Sequence, residues 1–567
     1  MPRTPCWIAG LLALTSAPAL HAQPVGSCEV GTAQAFLETR TLRASLFNTG
    51  GLFYGGTTTS SDGYLIPKRD SVSATFAASF WVGGRVGGDL RVAAARYGAY
   101  NFWPGPLADA EAPPADCAEH DRIFLISRQD VARYLATGRA TDDLRDWPVD
   151  AGAPVLDGDG VADNYNLAGG DQPAVPGDVA AFWVMNDAGN AHEQTGTAPL
   201  GIEVRTLAFA FDLAGPSALQ NVTFYRYEVV NRSDQPIDSL FLSLWTDVDL
   251  GDASDDYVGT DTLRNLIYAY NASDFDELYG AAPPAWGVQV LDGFVGLANG
   301  RDDDGDGTTD EPDEELRLTS APFAPKNFGP NGGDPRTASD YFNMQKGLFS
   351  DGSAMEARGF GFPGSYVGTD PVGPRTRFAF PADPVAGEFW TEVNADGAGN
   401  GNLNGDRRMV LSTGPGRLAP GASVDVLYAM PYARASSHLQ SVAALRAFAS
   451  VLATLQAQGT LAFRPVEARE YDGDDRPIAT PPLSLSRVRP NPSTGVASVL
   501  LTLPAEAGVE AAVDDVLGRR LALVVDARLP AGETPLALPR GLAAGTYVLR
   551  VRVAPGGEET LTFTVAR

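Results

Sequence analysis

Lysine is almost missing from this chain: Lys68, Lys326 and Lys346 are the only ones in 567 residues, so arginine carries nearly all the positive charge. Histidine is as scarce, with four residues, and cysteine stops at three. Acidic residues outnumber basic ones 70 to 42, giving a formal net charge of -28 and a pI near 4.5. A field of that sign repels nucleic acid and anionic membrane surfaces and gathers divalent cations, which sets DNA and RNA binding aside. The lysine-poor acidic surface suits a salty environment, and genomic base composition would produce the same bias equally well.

Motifs of nucleophilic and nucleotide chemistry are missing too: there is no GxSxG, no HExxH and no P-loop. Beyond residue 22 the histidines are His120, His192 and His438, too widely spaced in sequence to suggest a zinc site or a Ser-His-Asp triad. Each reads as a surface or hydrogen-bonded structural histidine. Past the N-terminus no run is apolar for long enough to cross a bilayer, so no transmembrane segment is expected in the mature chain.

The N-terminus itself has an address. Arg3 precedes the short apolar run "CWIAGLLAL", and "APALHAQ" supplies small residues for cleavage. This pattern reads as a signal peptide, residues 1–22, cut after Ala22 or alternatively after Ala19. Cys6 leaves with it and sits before the apolar run, which argues against a lipoprotein anchor. Cys28 and Cys117 remain, an even pair that an oxidising compartment would join as a disulfide across a long loop.

The hydrophobic content of 44% and aromatic content of 9% are those of a globular protein, and the length allows two to four domains. Glycine-punctuated aromatic runs between residues 30 and 125 predict antiparallel sheet. "SRQDVARYLATGR" predicts a short helix capped by Ser127 and stopped by Gly138. Over 222–248, Tyr225, Tyr227 and Val229 share one face of a strand, Leu240, Leu242 and Leu244 share a face of the next, and "NRSDQP" between them reads as a hairpin turn. Leu439, Val442, Leu445, Phe448, Leu452 and Leu455 recur at helical spacing up to Gly459, predicting a helix packed on a sheet. Its weakly charged polar face argues against a membrane anchor.

Residues 464–484 are proline-rich, charged and aperiodic, as a linker would be. The expected fold is therefore mainly β. A multi-domain antiparallel β-sandwich body, 23–463, carries a few helices and could divide near residue 200 into 23–200 and 201–463. A small immunoglobulin-like β-sandwich of about seven strands follows at 485–567.

That tail carries a resemblance. "RPNPSTG" with Pro490, Asn491, Pro492 and Gly495, "VDDVLGRRL" with Asp515, Gly518 and Arg519, and "LAAGTYVLRV" with Leu542, Gly545, Tyr547, Leu549 and Val551 come in order before a final strand. Together they resemble the type A C-terminal sorting domain of the type IX (Por) secretion system, over roughly the last 80 residues. The final strand, "TLTFTVAR", lacks the lysine that members of that family often carry. The resemblance implies transit through the periplasm and export by the type IX machinery, ending in release or attachment to the outer-membrane surface. The body is similar to the large uncharacterised regions that precede such tails, which attaches no activity to it.

Carboxylates cluster in three places. In "NGRDDDGDGTTDEPDEE", counting from Asp302, carboxylates fall at positions one, three, five and nine (Asp302, Asp304, Asp306, Asp310) with Gly307 at six and Asp313 at twelve. Alternate oxygens around a glycine turn suit a hard cation that takes six to eight oxygen ligands, with the Thr308 carbonyl as one of them, and the stretch resembles thrombospondin type 3-like and EF-hand-like calcium loops. Pro312 and aspartate at position twelve favour the thrombospondin-like form. Ca²⁺ in a structural role is the cofactor expected. "WTDVDLGDASDDYVGTD" offers Asp247, Asp249, Asp252, Asp255, Asp256 and Asp261 as a second metal site, an acid/base pair or an acidic rim. "LDGDGVAD" offers Asp157, Asp159 and Asp163 as a third site or a plain turn, and Asn394 to Asp406 reads as a turn-rich loop.

Two functions fit these observations. One is a secreted or surface-attached calcium-stabilised β protein with a structural or binding role, touching extracellular polysaccharide or cell-surface components. The other is a secreted carbohydrate-active enzyme, which needs two close carboxylates and aromatic platforms; its candidates are Asp247, Asp249, Asp255 and Asp256 beside Trp245.

Overall fold

The computed structural model describes residues 26–55, 63–98, 101–107, 117–162, 164–212, 217–294, 317–325, 333–365, 373–461, 466, 483–486, 488, 497–503, 506–515, 519–530, 532–554 and 557–566. The fold is mainly β. The chain divides into two compact units, 1–468 and 469–567, with the division inside the proline-rich stretch.

In the first unit two nine-stranded antiparallel sheets face each other. The first runs in the order 34–38, 43–47, 51–52, 77–86, 237–248, 407–418 and 323–325. The second runs 256–261, 266–271, 285–292, 423–433, 222–231, 202–210, 179–186 and 103–104, with 124–127 also on 179–186. Strands alternate inward and outward side chains. The inward sets meet in one core: Phe80, Val82, Leu242 and Leu244 from the first sheet against Trp183, Tyr225, Tyr227, Tyr428 and Met430 from the second. Both sheets draw strands from either side of residue 200, so 23–200 and 201–463 share this core.

The expected hairpin at 222–248 is not one. Strand 222–231 pairs with 202–210 and 423–433 in the second sheet, while 237–248 pairs with 77–86 and 407–418 in the first. "NRSDQP" therefore crosses between sheets. The tyrosine and leucine faces do both point inward, but strands facing each other across a sandwich show the same alternation as neighbours in one sheet. Buried Asn231 fixes the crossing, its amide donating to the carbonyls of Gln235 (2.9 Å) and Leu418 (3.1 Å). The neighbouring crossing at 419–422 lies alongside, with Gly421 N–H on the Asn231 carbonyl at 2.8 Å and Asn231 N–H on that of Ala422 at 2.9 Å.

Helices cover the outer faces. Helix α1, Arg128–Thr137, is capped by Ser127 through a reciprocal pair with Asp130 and ends at Gly138, whose φ of 74° suits glycine. It and the one-turn helix α2, Asp142–Arg145, both pack against the 124–127 strand. Helix α3, Ala338–Gln345, places Tyr341 and Phe342 against Trp81 and Phe241 on the first sheet. Helix α4, His438–Ala457, capped by Ser437, lays Val442, Leu445, Phe448, Ala449 and Leu452 on the second. By length and apolarity α4 could span a bilayer. Here that apolar face is buried on the sheet.

The second unit is a seven-stranded sandwich. Strands 484–485, 498–503 and 532–537 form one sheet, and 520–529, 507–515, 545–554 and 557–565 the other, around Val499, Leu501, Val513, Leu549, Val551 and Phe563. Gly545 opens a strand, and the Tyr547 hydroxyl donates to the Ala543 carbonyl at 2.7 Å. Pro490, Asn491, Pro492, Gly495 and Gly518 lie outside the described residues.

Candidate metal centre

Strand 237–248 ends with Asp247 opposite Arg408 of 407–418, after which the chain leaves the first sheet and enters the second at Asp256. The acidic stretch thus lies on a crossing between the sheets. There, one carboxylate oxygen each from Asp247, Asp249 and Asp406 lies within 4.8 Å of the others. Arg408 reaches Asp247 and Asp334 through Nε, both at 3.3 Å, and Asp406 through a terminal nitrogen at 3.2 Å. Arg96 pairs with Asp334 at 2.6 Å, and the Tyr97 hydroxyl donates to Asp247 at 2.5 Å while accepting from Arg408 at 3.0 Å. Burial pushes the Asp247 carboxyl up to about 6, with Arg408 opposing the rise. Convergent carboxylate oxygens are what a hard divalent cation takes.

Asp252, Asp255 and Asp256 turn to a different neighbourhood. Asp276 accepts from the backbone N–H groups of Asp252 (2.9 Å), Leu278 (2.8 Å) and Tyr279, and the Asn271 amide bridges Asp255 (2.7 Å) and Asp276 (3.3 Å). Burial raises Asp255 to about 6, with Asp276 and Asp252 adding to the rise; burial also raises Asp256, which is fully buried. Asp261 belongs to neither group. It caps the turn at 262–264 and takes Arg264 at 2.7 Å and Arg446 at 2.6 Å, so it is an ion-pair residue rather than a ligand shared with the rest. The six aspartates of this stretch are therefore three separate features. Sequence spacing hid the division because acids a few residues apart here turn to different partners.

A second convergence forms at 157–171. Oxygens of Asp157, Asp159 and Asp171 lie within 4.8 Å of one another, around a loop in which Gly160 has φ of 78°. The Val161 N–H with the Asn166 and Asn164 amides lowers the Asp159 carboxyl. Buried Asp171 holds the loop closed by accepting from Gly158 and Asn166 N–H groups at 2.9 and 2.7 Å. Asp163 lies outside the described residues, as do Asp302, Asp304, Asp306, Thr308, Asp310 and Asp313. Asp171 and Asp406 each come from a segment that sequence spacing did not connect to a cluster. The only trace of either was a lone aspartate after glycine, in "GGD" and "NGD".

Trp245 is fully buried, stacked on Trp81 with centroids 6.0 Å apart and edge-on to Tyr97 at 5.2 Å. It is core beneath α3, which removes the aromatic platform expected beside Asp247 and Asp249. Cys28 and Cys117 are joined, with Cα atoms 5.7 Å apart. They line a cleft of about 290 Å³ together with Glu29 and Asp121, and Asp121 is engaged by Thr32, Ala33 and Asn48. His192 is buried with both ring nitrogens on carbonyl oxygens, at 3.1 Å from Val92 and 2.6 Å from Asp187; His438 meets Asp274 at 2.5 Å. His120 is exposed in a short turn.

No family model matches the chain, and no curated protein does. Among solved structures, a polysaccharide lyase is similar at 9% identity and a TM-score of 0.17 over 64% of this chain and 34% of that one. The BSP domain of a biofilm associated protein is similar at 9% identity and a TM-score of 0.15, over 97% of this chain and 84% of that one. This chain spans about a third of the lyase, and at such scores neither likeness bears on fold or function.

Proposed function

We propose that this is a secreted or surface-attached β protein whose body is stabilised by calcium, with a structural or binding role. The observation that carries this is the convergence of Asp247, Asp249 and Asp406, three carboxylates from two distant segments with oxygens within 4.8 Å of one another. The 157–171 loop, with Asp157, Asp159 and Asp171, repeats the chemistry on another connection. Calcium rather than magnesium is the ion of choice, because large irregular oxygen sets built from loops suit its flexible coordination. The joined Cys28 and Cys117 agree with an oxidising compartment, as does the signal-like N-terminus. The terminal seven-stranded sandwich is the expected shape of a type IX sorting domain, and its motif residues are the basis for assigning export by that route.

The test is a thermal melt of the mature chain from residue 23 after chelation, then with millimolar calcium, and separately with magnesium. Calcium alone should raise the midpoint, and Asp406→Asn should reduce the rise. A midpoint indifferent to calcium would sink the metal assignment. For the route, deletion of 485–567 should leave the protein in the periplasm of a type IX-competent host; release to the medium at wild-type level would refute the sorting role.

A further inference from the structure

We infer that Tyr97 is the positioning residue of the cation site at Asp247, Asp249 and Asp406; this rests on the calcium reading above and deepens it. Strand 237–248 delivers Asp247 with its backbone already fixed. Asp247 lies opposite Ala77 on one side and Arg408 on the other, and its carbonyl accepts from the Phe76 N–H at 3.0 Å and the Thr75 hydroxyl at 2.9 Å. What remains free is rotation of the side chain, and that rotation decides where the carboxylate oxygens point. The Tyr97 hydroxyl takes hold of one of them, Oδ2, at 2.5 Å.

Chemistry sets the direction of that bond. Arg408 Nε approaches the same hydroxyl at 3.0 Å, and a guanidinium can only donate. The phenol oxygen therefore accepts from Arg408, and its single proton is committed to Asp247. The ring behind it is held as well: it stands edge-on to buried Trp245 at 5.2 Å and to Tyr54 at 6.3 Å. Arg96, the preceding residue, is tied to Asp334 at 2.6 Å and to the Tyr341 hydroxyl at 3.2 Å. Tyr97 is thus a braced arm on one of the three converging carboxylates, the arrangement by which outer hydrogen bonds orient the ligands of an ion. A hydroxyl that served only the fold would stabilise the empty and the loaded protein alike.

Calorimetric titration of the mature chain with calcium separates the two roles. Asp406→Asn identifies the binding that belongs to this site. Tyr97→Phe keeps the ring and should weaken that binding about 10–100-fold, the usual cost of losing an outer hydrogen bond to a ligand. Tyr341→Phe, which removes a hydroxyl from neighbouring Arg96, should leave it unchanged. With Asp406→Asn already in place, Tyr97→Phe should weaken calcium binding no further, because the site it serves is gone. If Tyr97→Phe binds calcium as wild type does, or weakens binding equally with and without Asp406, the hydroxyl serves the fold alone and the positioning role is refuted. A Tyr97→Phe chain that lacks the native near-ultraviolet circular dichroism in chelator would refute it in the same way. Calcium binding by Asp406→Asn equal to that of wild type would remove the cation site itself, and this role with it.

Discussion

Phe80 lies flat on Tyr227, with ring centroids 4.1 Å apart and planes within 1° of parallel. One ring comes from each sheet, so the pair spans the sandwich at the middle of its core. Phe80→Ala should lower unfolding stability by about 3–5 kcal/mol, the cost of emptying a well-packed aromatic position. Tyr227→Phe should change it by less than about 1 kcal/mol, because the hydroxyl has no hydrogen-bond partner among the described residues and its removal spares its desolvation. Urea unfolding followed by fluorescence reads both; a large loss in Tyr227→Phe would mean that the hydroxyl is bonded.

Arg408 is the counter-charge of a nearly dry acidic group, with 7% of its side chain exposed and Asp247 at 6%. Replacing one partner of such a group strands the others. Arg408→Met should therefore destabilise the chelated protein by about 3–5 kcal/mol. Calcium should recover more stability in this variant than in wild type, because the ion then supplies the missing positive charge. Equal calcium responses in the two proteins would show that Arg408 and the ion do not share these carboxylates.

The disulfide between Cys28 and Cys117 spans a sequence separation of 89 and ties down a segment otherwise held by Gly26 and Cys28 N–H groups on the carbonyls of Ala188 and Gly189. Cys28→Ala with Cys117→Ala should lose about 2–5 kcal/mol, chiefly because the unfolded chain regains its freedom. Unfolding of the oxidised protein and of the double variant in the same buffer gives the difference; no difference would mean that the N-terminal segment contributes nothing to the cooperative unit.

Local features were legible in the sequence wherever the physics was local. Ser127 with Asp130 caps α1 and Gly138 ends it, and the apolar repeat of α4 buries the side it should. The inward tyrosines and leucines of 222–248 were legible as faces but not as partners, since alternation records which side is dry and not which strand lies alongside. The same limit hid the convergence of Asp247, Asp249 and Asp406. Asp406 is 159 positions from Asp247 and meets it only because strands 237–248 and 407–418 pair in register, which no spacing rule contains. Asp261 failed in the opposite way. It sits in an acidic run, but Arg446 from α4 reaches it from 185 positions away.

The charge balance at Asp247 makes stability depend on pH in a way that changes sign with the ion. Without metal, burial holds its folded pKa near 6 against an ordinary 3.8, so the folded chain takes up a proton more readily than the unfolded one. That contribution is fully present below the unfolded value and is lost as pH rises through about 6. Acidifying the chelated protein from pH 7.5 to 5 should therefore raise its stability, by about 1.4 kcal/mol for Asp247 alone, with Asp255 acting in the same direction. A bound cation favours the carboxylate and depresses its pKa, so the calcium-loaded protein should lose stability over the same range as protons displace the ion. Melts at several pH values with chelator and with calcium would give two curves that converge toward low pH. Parallel curves would mean that the ion stabilises the fold somewhere other than at Asp247.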